Sequence, residues 1–407
     1  MKLAYRNLIR HYRKNIHSAA IGIVTIVLLL LYAVNLDSTE RQLASLPEAM
    51  EVTASVSNLN GSKDEEICIS EERVDGIAAC PEVEDVVFSA QLMTGFGAFT
   101  LEEYKGNLNY FATAVNDIAG VPGLKSEEIS YGEKWDESLF AGEESVCILD
   151  ARTIEQQGLA PGDEVTITLY YYQYGQGSTG IGKATPLVEG KTFTVAGVMD
   201  YHDYTGVVTP PQMLFPLESV RQVFREKGIE FTADSSSFRV KDPFRLNECK
   251  SYMKELGFLS VIRDADFSYA GNALTMRDEE FINAAENLRE TLTFLTGMLP
   301  FVVMILLFVG YLCSYLLIQS RKAEYATMRS VGMGWGHCFL VMLLENLMIE
   351  AAACTAVSLP ALLTGAVSGR ALLLSAAAFL LAFLLGSAAS LWSLRRLSVM
   401  TLCEKSF

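Results

Sequence analysis

The chain has 407 residues, half of them hydrophobic, and a formal net charge of −16. That combination excludes one evenly charged soluble domain, and so acidic a chain is not expected to bind nucleic acid. Mapping the charge resolves it: residues 1–15, 320–337 and 395–407 carry eleven basic against two acidic side chains, a balance of +9, whereas residues 37–290 carry 20 basic and 44 acidic, a balance of −24.

Residues 1–15 read as a basic amphipathic helix. Residues 16–36 follow without a formal charge and are long enough to cross a bilayer, which takes about 20 apolar residues. A basic stretch before an apolar core also describes a signal peptide. Tyr32, Asn35 and Leu36 make a poor small-residue cleavage site, and three more apolar runs follow (291–319, 338–362 and 371–394), so the segment is read as an uncleaved anchor. Positive charge near span ends marks the cytoplasmic face, whereas a long loop crosses largely regardless of its charge. The expected topology is therefore a multi-pass protein of the cell membrane with both termini in the cytoplasm and residues 37–290 outside.

Within the outer region, residues 37–46 should prolong the first span as a helix ending near Pro47, and residues 276–290 should lead as a helix into the second span, forming a stalk. Between them, two segments share a strand–helix–strand pattern. In the first, residues 51–57 and 83–90 are extended and 70–79 helical. In the second, residues 237–240 are extended, Asp242 and Pro243 start a helix running to Leu256, Gly257 stops it, and residues 258–263 return as a strand. Two such units pair into a ferredoxin-like porter layer. The expected fold is thus an α-helical membrane protein with four transmembrane helices plus an α+β extracytoplasmic domain, with a mainly β subdomain inserted at about 95–235. Its clearest strands are 165–172 and 192–198, β-branched and alternating.

Several motifs fall to simpler readings. Residues 177–184, GSTGIGKA, approach a phosphate loop, but Ala184 stands where Lys183 should be followed by Ser or Thr, and Pro186 breaks the helix such a loop needs. The stretch reads as a hairpin tip, so no ATP site is expected in this chain. Tyr201-His202-Asp203-Tyr204 reads as a solvated turn, and the Glu pairs, among them Glu71-Glu72, as a solvated face. Cys68, Cys80, Cys147 and Cys249 lie outside, where they form two disulfides or stay as buried or free thiols. No spacing suggests a metal. Glu345 and Glu350 fall inside the third apolar run, where carboxylates are costly and by default functional. Glu345 is read equally as pairing with Arg321 or Arg329 and as a coupling residue, Glu350 as a packing or inter-subunit contact. Pro300 and Gly310 are candidate kinks in the second span.

The segment 320–337 is basic, helix-favouring and wedged between spans. Its string RKAEYATMRSVGMG, with Glu345 downstream, resembles the motif of ABC transporter permeases of the FtsX/MacB type, as do the N-terminal LAYRNLIRHYRKN and the C-terminal RRLSVMTLCEK. The outer GLAPGDEVTI and GKTFTVAGVM are similar to the inserted subdomain of that family. The resemblance implies a permease that is not itself an enzyme. It also implies a second permease chain (homo- or heterodimer), surrounding lipid, and a cytoplasmic ATP-binding subunit that holds ATP and magnesium, with no cofactor bound by this chain. Arg321, Glu324, Arg329, Gly332 and Glu345 are the residues it marks for coupling to that ATPase. The implied activity is mechanotransmission, exporting or dislodging a peptide, lipid-linked molecule or drug. The alternatives are a signalling module that senses a ligand or activates a cell-wall hydrolase, and a membrane receptor unrelated to ATP.

Overall fold

A computed structural model describes residues 12–100, 110–173, 183–201, 209–264, 271–319, 322–363 and 367–393. The chain divides into two units: Pro47–Ile282, and a helical unit formed by the residues before and after it. Helix α1 (Tyr12–Ala49) carries the first apolar run, and Pro47 lies in its last turn, where the bond that a proline cannot donate is lost just before the helix ends.

The outer unit is an 11-stranded sheet with helices laid on it and a small, two-stranded second sheet. In chain order the elements are β1 (Thr53–Ser57), β2 (Ile69–Ser70), α2 (Glu71–Ala78), β3 (Val83–Phe96), β4 (Tyr110–Val115), β5 (Ile129–Tyr131), β6 (Val146–Asp150), α3 (Ala151–Gln157), β7 (Glu164–Gln173), β8 (Lys183–Met199), β9 (Met213–Pro216), α4 (Leu217–Lys227), β10 (Thr232–Ala233), β11 (Ser235–Val240), α5 (Leu246–Glu255), β12 (Leu259–Ser260) and β13 (Ala273–Met276). The larger sheet runs β12-β13-β1-β11-β3-β4-β9-β6-β8-β5, with β7 bridging β3 and β8, and in the small one β2 pairs with β10. In its first half β13, β1, β11 and β3 are antiparallel neighbours. Period-two patterning buries one face: Ala54 and Val56 of β1, Phe238 and Val240 of β11, with Ala54 opposite Phe238. Val74 and Ile77 of α2 and Cys249 and Met253 of α5 are buried as well. The second half has its own core, including Phe140, Ile148, Met199 and Leu214.

Local chemistry explains the boundaries. Ser70 precedes α2 in an extended conformation, and Glu71 and Glu72 suit the positive end of that helix. The Asp242 carboxylate accepts from the Phe244 amide at 3.0 Å and caps a 3-10 turn, Pro243–Arg245, that runs into α5. Gly257 follows α5 at φ +87°, a left-handed conformation that stops it.

Two expectations need correction. The strand returning to β1 is Ala273–Met276, not residues 258–263. Of the latter only Leu259 and Ser260 pair, parallel to β13, and both are exposed; Ala273 is fully buried and pairs with Ser57, so the burial gain selects the later segment. The acidic pair Glu71-Glu72 is not simply a solvated face. Arg221 of α4 donates to Glu71 at 2.9 Å and to Asp75 at 2.8 Å, both on α2, and to Glu218 at 3.3 Å. It also stacks over Phe231, 5.4 Å from the ring centroid. The insertion boundary near residue 95 falls on the last residues of β3, which pairs with β11 at one end and with β4 and β7 at the other. The Gly-rich tip (177–182) and residues 202–204 lie outside the described residues; Lys183 opens β8 opposite Gln173.

In the other unit, α6 (Glu279–Gln319), α7 (Lys322–Ser330), α8 (Trp335–Leu363) and α9 (Gly369–Ser393) complete the chain. Together with α1, helices α6, α8 and α9 are long and apolar enough to cross a membrane.

Arg221 is 8 % exposed, and its removal leaves three carboxylates facing one another across α2 and α4. Arg221→Ala is expected to cost about 2–3 kcal/mol. The urea midpoint of the outer unit, followed by Trp135 fluorescence, should fall accordingly, with Arg221→Lys intermediate because one ammonium cannot span the three acceptors.

Candidate functional site

The segment between the second and third spans is built as a short helix, a tight turn and the first turns of α8. The nine residues of α7, KAEYATMRS, are mostly good helix formers. Its end is closed by a Schellman motif: the Met333 amide donates to the Met328 carbonyl and the Gly332 amide to the Arg329 carbonyl, each at 3.1 Å, with Gly332 at φ +91°. A side chain at Gly332 would meet nothing within 4 Å, so the glycine is required by backbone conformation alone. The Arg329 guanidinium then donates to the Met333 carbonyl at 3.0 Å, clasping the turn from outside. The Gly334 carbonyl accepts from the amides of His337 and Cys338 and starts α8.

Beneath this turn lies a small apolar core. Tyr325 of α7, Cys338 and Met342 of α8 and Leu391 of α9 are buried together, with Met328, Met333, Phe339 and Leu343 against them. Trp335 meets Trp392 edge-on at 5.7 Å. The turn is therefore a packed element anchored to two long helices, not a slack connection.

The residues marked by the sequence distribute as follows. Arg321 lies outside the described residues. Glu324 is half-buried in the first turn of α7, where a carboxylate suits the helix dipole. Arg329 and Gly332 meet in the turn. Glu345 is only 2 % exposed and lies ten residues into α8, roughly 15 Å along the axis from Trp335.

The helices themselves hold polar groups whose partners no local pattern reveals. Glu350 of α8 accepts from the Ser18 hydroxyl of α1 at 3.0 Å, so its contact is within the chain. A Cβ on Gly22 would fall 2.1 Å from Glu350 Oε2, so the glycine makes room for the carboxylate. The other carboxylate oxygen and the Asn346 amide nitrogen, one helical turn away, are buried without a partner among the described residues. Ser314 of α6 and Ser387 of α9 share a hydrogen bond of 2.5 Å. Gly310, a candidate kink by sequence, stands at a close contact: a Cβ there would lie 3.1 Å from Phe383 Cα, and one on Gly386 2.6 Å from the Tyr311 nitrogen. Backbones of α6 and α9 thus cross closely, the use of small residues that lipid favours. Between α1, α6 and α9 lies an apolar groove of 290 Å³, lined by Leu29, Tyr32, Leu299 and Leu306 and flanked by Asp37 and Arg370. Among the described residues no cluster of His, Cys, Asp and Glu could hold a metal ion.

A family model for the MacB-like periplasmic core domain matches residues 16–256. Among solved structures, the periplasmic region of MacB from Actinobacillus actinomycetemcomitans aligns with 58 % of this chain and 92 % of its own, at 10 % identity and a TM-score of 0.30. A domain of a Porphyromonas gingivalis protein assigned as a permease aligns with 56 % of this chain and 86 % of its own, at 13 % identity and a TM-score of 0.25. A search of curated proteins finds no match.

Gly332→Ala should strain the turn by about 1–2 kcal/mol, since a side chain is disfavoured at this φ. Tryptic cleavage after Arg329, where opening is faster than cutting, should accelerate by roughly five- to thirtyfold. Unchanged cleavage would mean that the turn does not depend on this backbone conformation.

Proposed function

We propose, from the premise that this chain belongs to the MacB-like periplasmic core domain family, within the FtsX/MacB-type permeases of ABC transporters, that it transmits the work of a cytoplasmic ATPase to its extracytoplasmic domain. The observation that carries this reading is the clasped α7–α8 turn, a stiff element on a positively charged stretch between two membrane-length helices. A partner pushing on a slack loop would lose its work in loop motion. A push on α7 passes instead through Tyr325, Cys338, Met342 and Leu391 into α8 and α9.

On this reading both termini and α7 face the cytoplasm, ATP and magnesium reside in the partner, and two permease chains grip one ATPase pair. Arg321, Glu324 and Arg329 supply the docking charges; Gly332 sets the turn, and Glu345 stiffens α8 beneath it. A ligand shifts a two-state equilibrium only by its differential affinity, and ATP acting through the partner supplies that difference. We read the β1–α2–β3 and β11–α5–β13 units, with strand order β13-β1-β11-β3, as a ferredoxin-like porter layer that receives the motion. The groove beside Tyr32, apolar with charge at its edge, suits an amphipathic cargo such as a lipid-linked molecule or hydrophobic peptide.

Glu324→Ala leaves the turn's hydrogen bonds in place and is expected to weaken co-purification with the ATPase about tenfold, or 1.4 kcal/mol. Arg329→Lys, which keeps the charge, should lose less than Arg329→Glu. ATPase binding and stimulation unchanged in both Glu324→Ala and Arg329→Glu would remove the docking role.

Topology has a separate test. Cys147 and Cys249 are buried, and Cys68 is exposed. A membrane-impermeant thiol reagent on intact cells should therefore label Cys68 and lose that signal in Cys68→Ser. Labelling of Cys68 only after lysis would reverse the orientation.

A further inference from the structure

Helices α2 and α5 lie side by side and antiparallel, and their contacts form a ladder in steady register. Arg73 donates to the carbonyls of Leu256 at 3.3 Å and Gly257 at 3.2 Å. The Tyr252 hydroxyl donates to the Gly76 carbonyl at 3.1 Å. At the far end, beyond α2, Glu82 pairs with Arg245 at 2.8 Å. Gly76 permits this spacing, because a Cβ there would fall 2.6 Å from Leu256 Cδ2.

Between the last two rungs the ladder sets Cys80 opposite Cys249. The Cys80 amide donates to the Ile77 carbonyl at 3.1 Å, which holds the residue just past the end of α2. Cys80 is 4 % and Cys249 0 % exposed, and the rungs on either side, Tyr252 to Gly76 and Arg245 to Glu82, hold the two thiols at the same level of the ladder. A disulfide of ~2.05 Å is the bond that two thiols at one level of neighbouring helices would form. Two buried thiols are also what a small apolar pair looks like. What separates the cases is compartment: this domain is extracytoplasmic, where disulfides form and persist.

We propose that Cys80 and Cys249 are a disulfide-forming pair that joins α2 to α5 and closes a covalent ring around residues 80–249. The oxidant is an external disulfide of the glutathione type. The Cys80 thiolate attacks one of its sulfurs and releases one small thiol, leaving a mixed disulfide. Cys249, once deprotonated, attacks the Cys80 sulfur and releases the second. Two protein thiols and one external disulfide become one protein disulfide and two small thiols, with two electrons passing to the oxidant. Burial raises the pKa of the Cys80 thiol and pushes that of Cys249 up to about 12. The folded, reduced pair therefore reacts slowly, and the bond forms readily while the chain folds or when α2 and α5 part.

The test uses the full-length chain in detergent, reduced, freed of reductant, and equilibrated with oxidised glutathione in moderate urea. It is then unfolded and alkylated. Of eight cysteines, six should take the label instead of eight, and digestion should yield one peptide bridging Cys80 to Cys249. The bridge should be absent from Cys80→Ser and from Cys249→Ser, and the oxidised wild type should unfold several degrees higher than the reduced form. Eight labels at equilibrium, a glutathione adduct on Cys80 without the bridge, or a bridge to Cys68 instead would each overturn the pairing. The peptide map needs only the wild-type chain, so a variant that fails to fold does not protect the idea.

Discussion

Backbone pairing along β3 is the constraint on which the outer unit depends. Its 14 residues hydrogen-bond to β11 near their start and to β4 and β7 further on. The two halves of the sheet therefore share one strand rather than meeting as separate domains. A break in β3 would leave each half with an unpaired edge. The halves are fastened a second time by side chains, where Arg221 of α4 spans carboxylates of α2. That contact ties the first helix of one half to a helix of the other. Covalent closure between α2 and α5 would lock the first half within itself.

The helical unit solves a different problem. Lipid offers little hydrophobic drive between helices, so association rests on close packing and polar contacts. Gly310 and Gly386 let the backbones of α6 and α9 approach, and Gly22 opens space for the Glu350 carboxylate. Against this tightly fitted bundle, the α7–α8 turn is held by backbone and guanidinium hydrogen bonds. Stiffness at the turn and stiffness in the bundle are the same physical property at two scales, and both are needed if a push at α7 is to travel.

Much of this was legible from residue order because its causes are local. Apolar runs long enough to span, the Asp242 cap, the Gly257 stop and the alternation of β7 and β8 all depend on near neighbours. The features that escaped depend on distant ones. Nothing near Glu350 names Ser18 as its partner, nor does anything near Glu71 name Arg221, 150 residues away. The choice of Ala273–Met276 over residues 258–263 as the strand beside β1 was a competition for burial, which period alone does not decide. At Gly310 a lone sequence shows the missing side chain but not the backbone of α9 that lies against it. At the candidate site, the helical character of 322–330 was readable, whereas the clasp of Arg329 on Met333 was not.

The contact between Ser18 and Glu350 joins residues 332 positions apart. At roughly 5–20 residues per second of synthesis, the first helix waits on the order of 15–65 s before the helix that carries its carboxylate partner exists. Throughout that interval the notch at Gly22 and the Ser18 hydroxyl lie in the bilayer without their mate, while the entire outer unit is made and moved across. The membrane part of this protein is thus completed late, its first helix a held place that later helices must find. Assembly quality control would have its longest exposure at that notch.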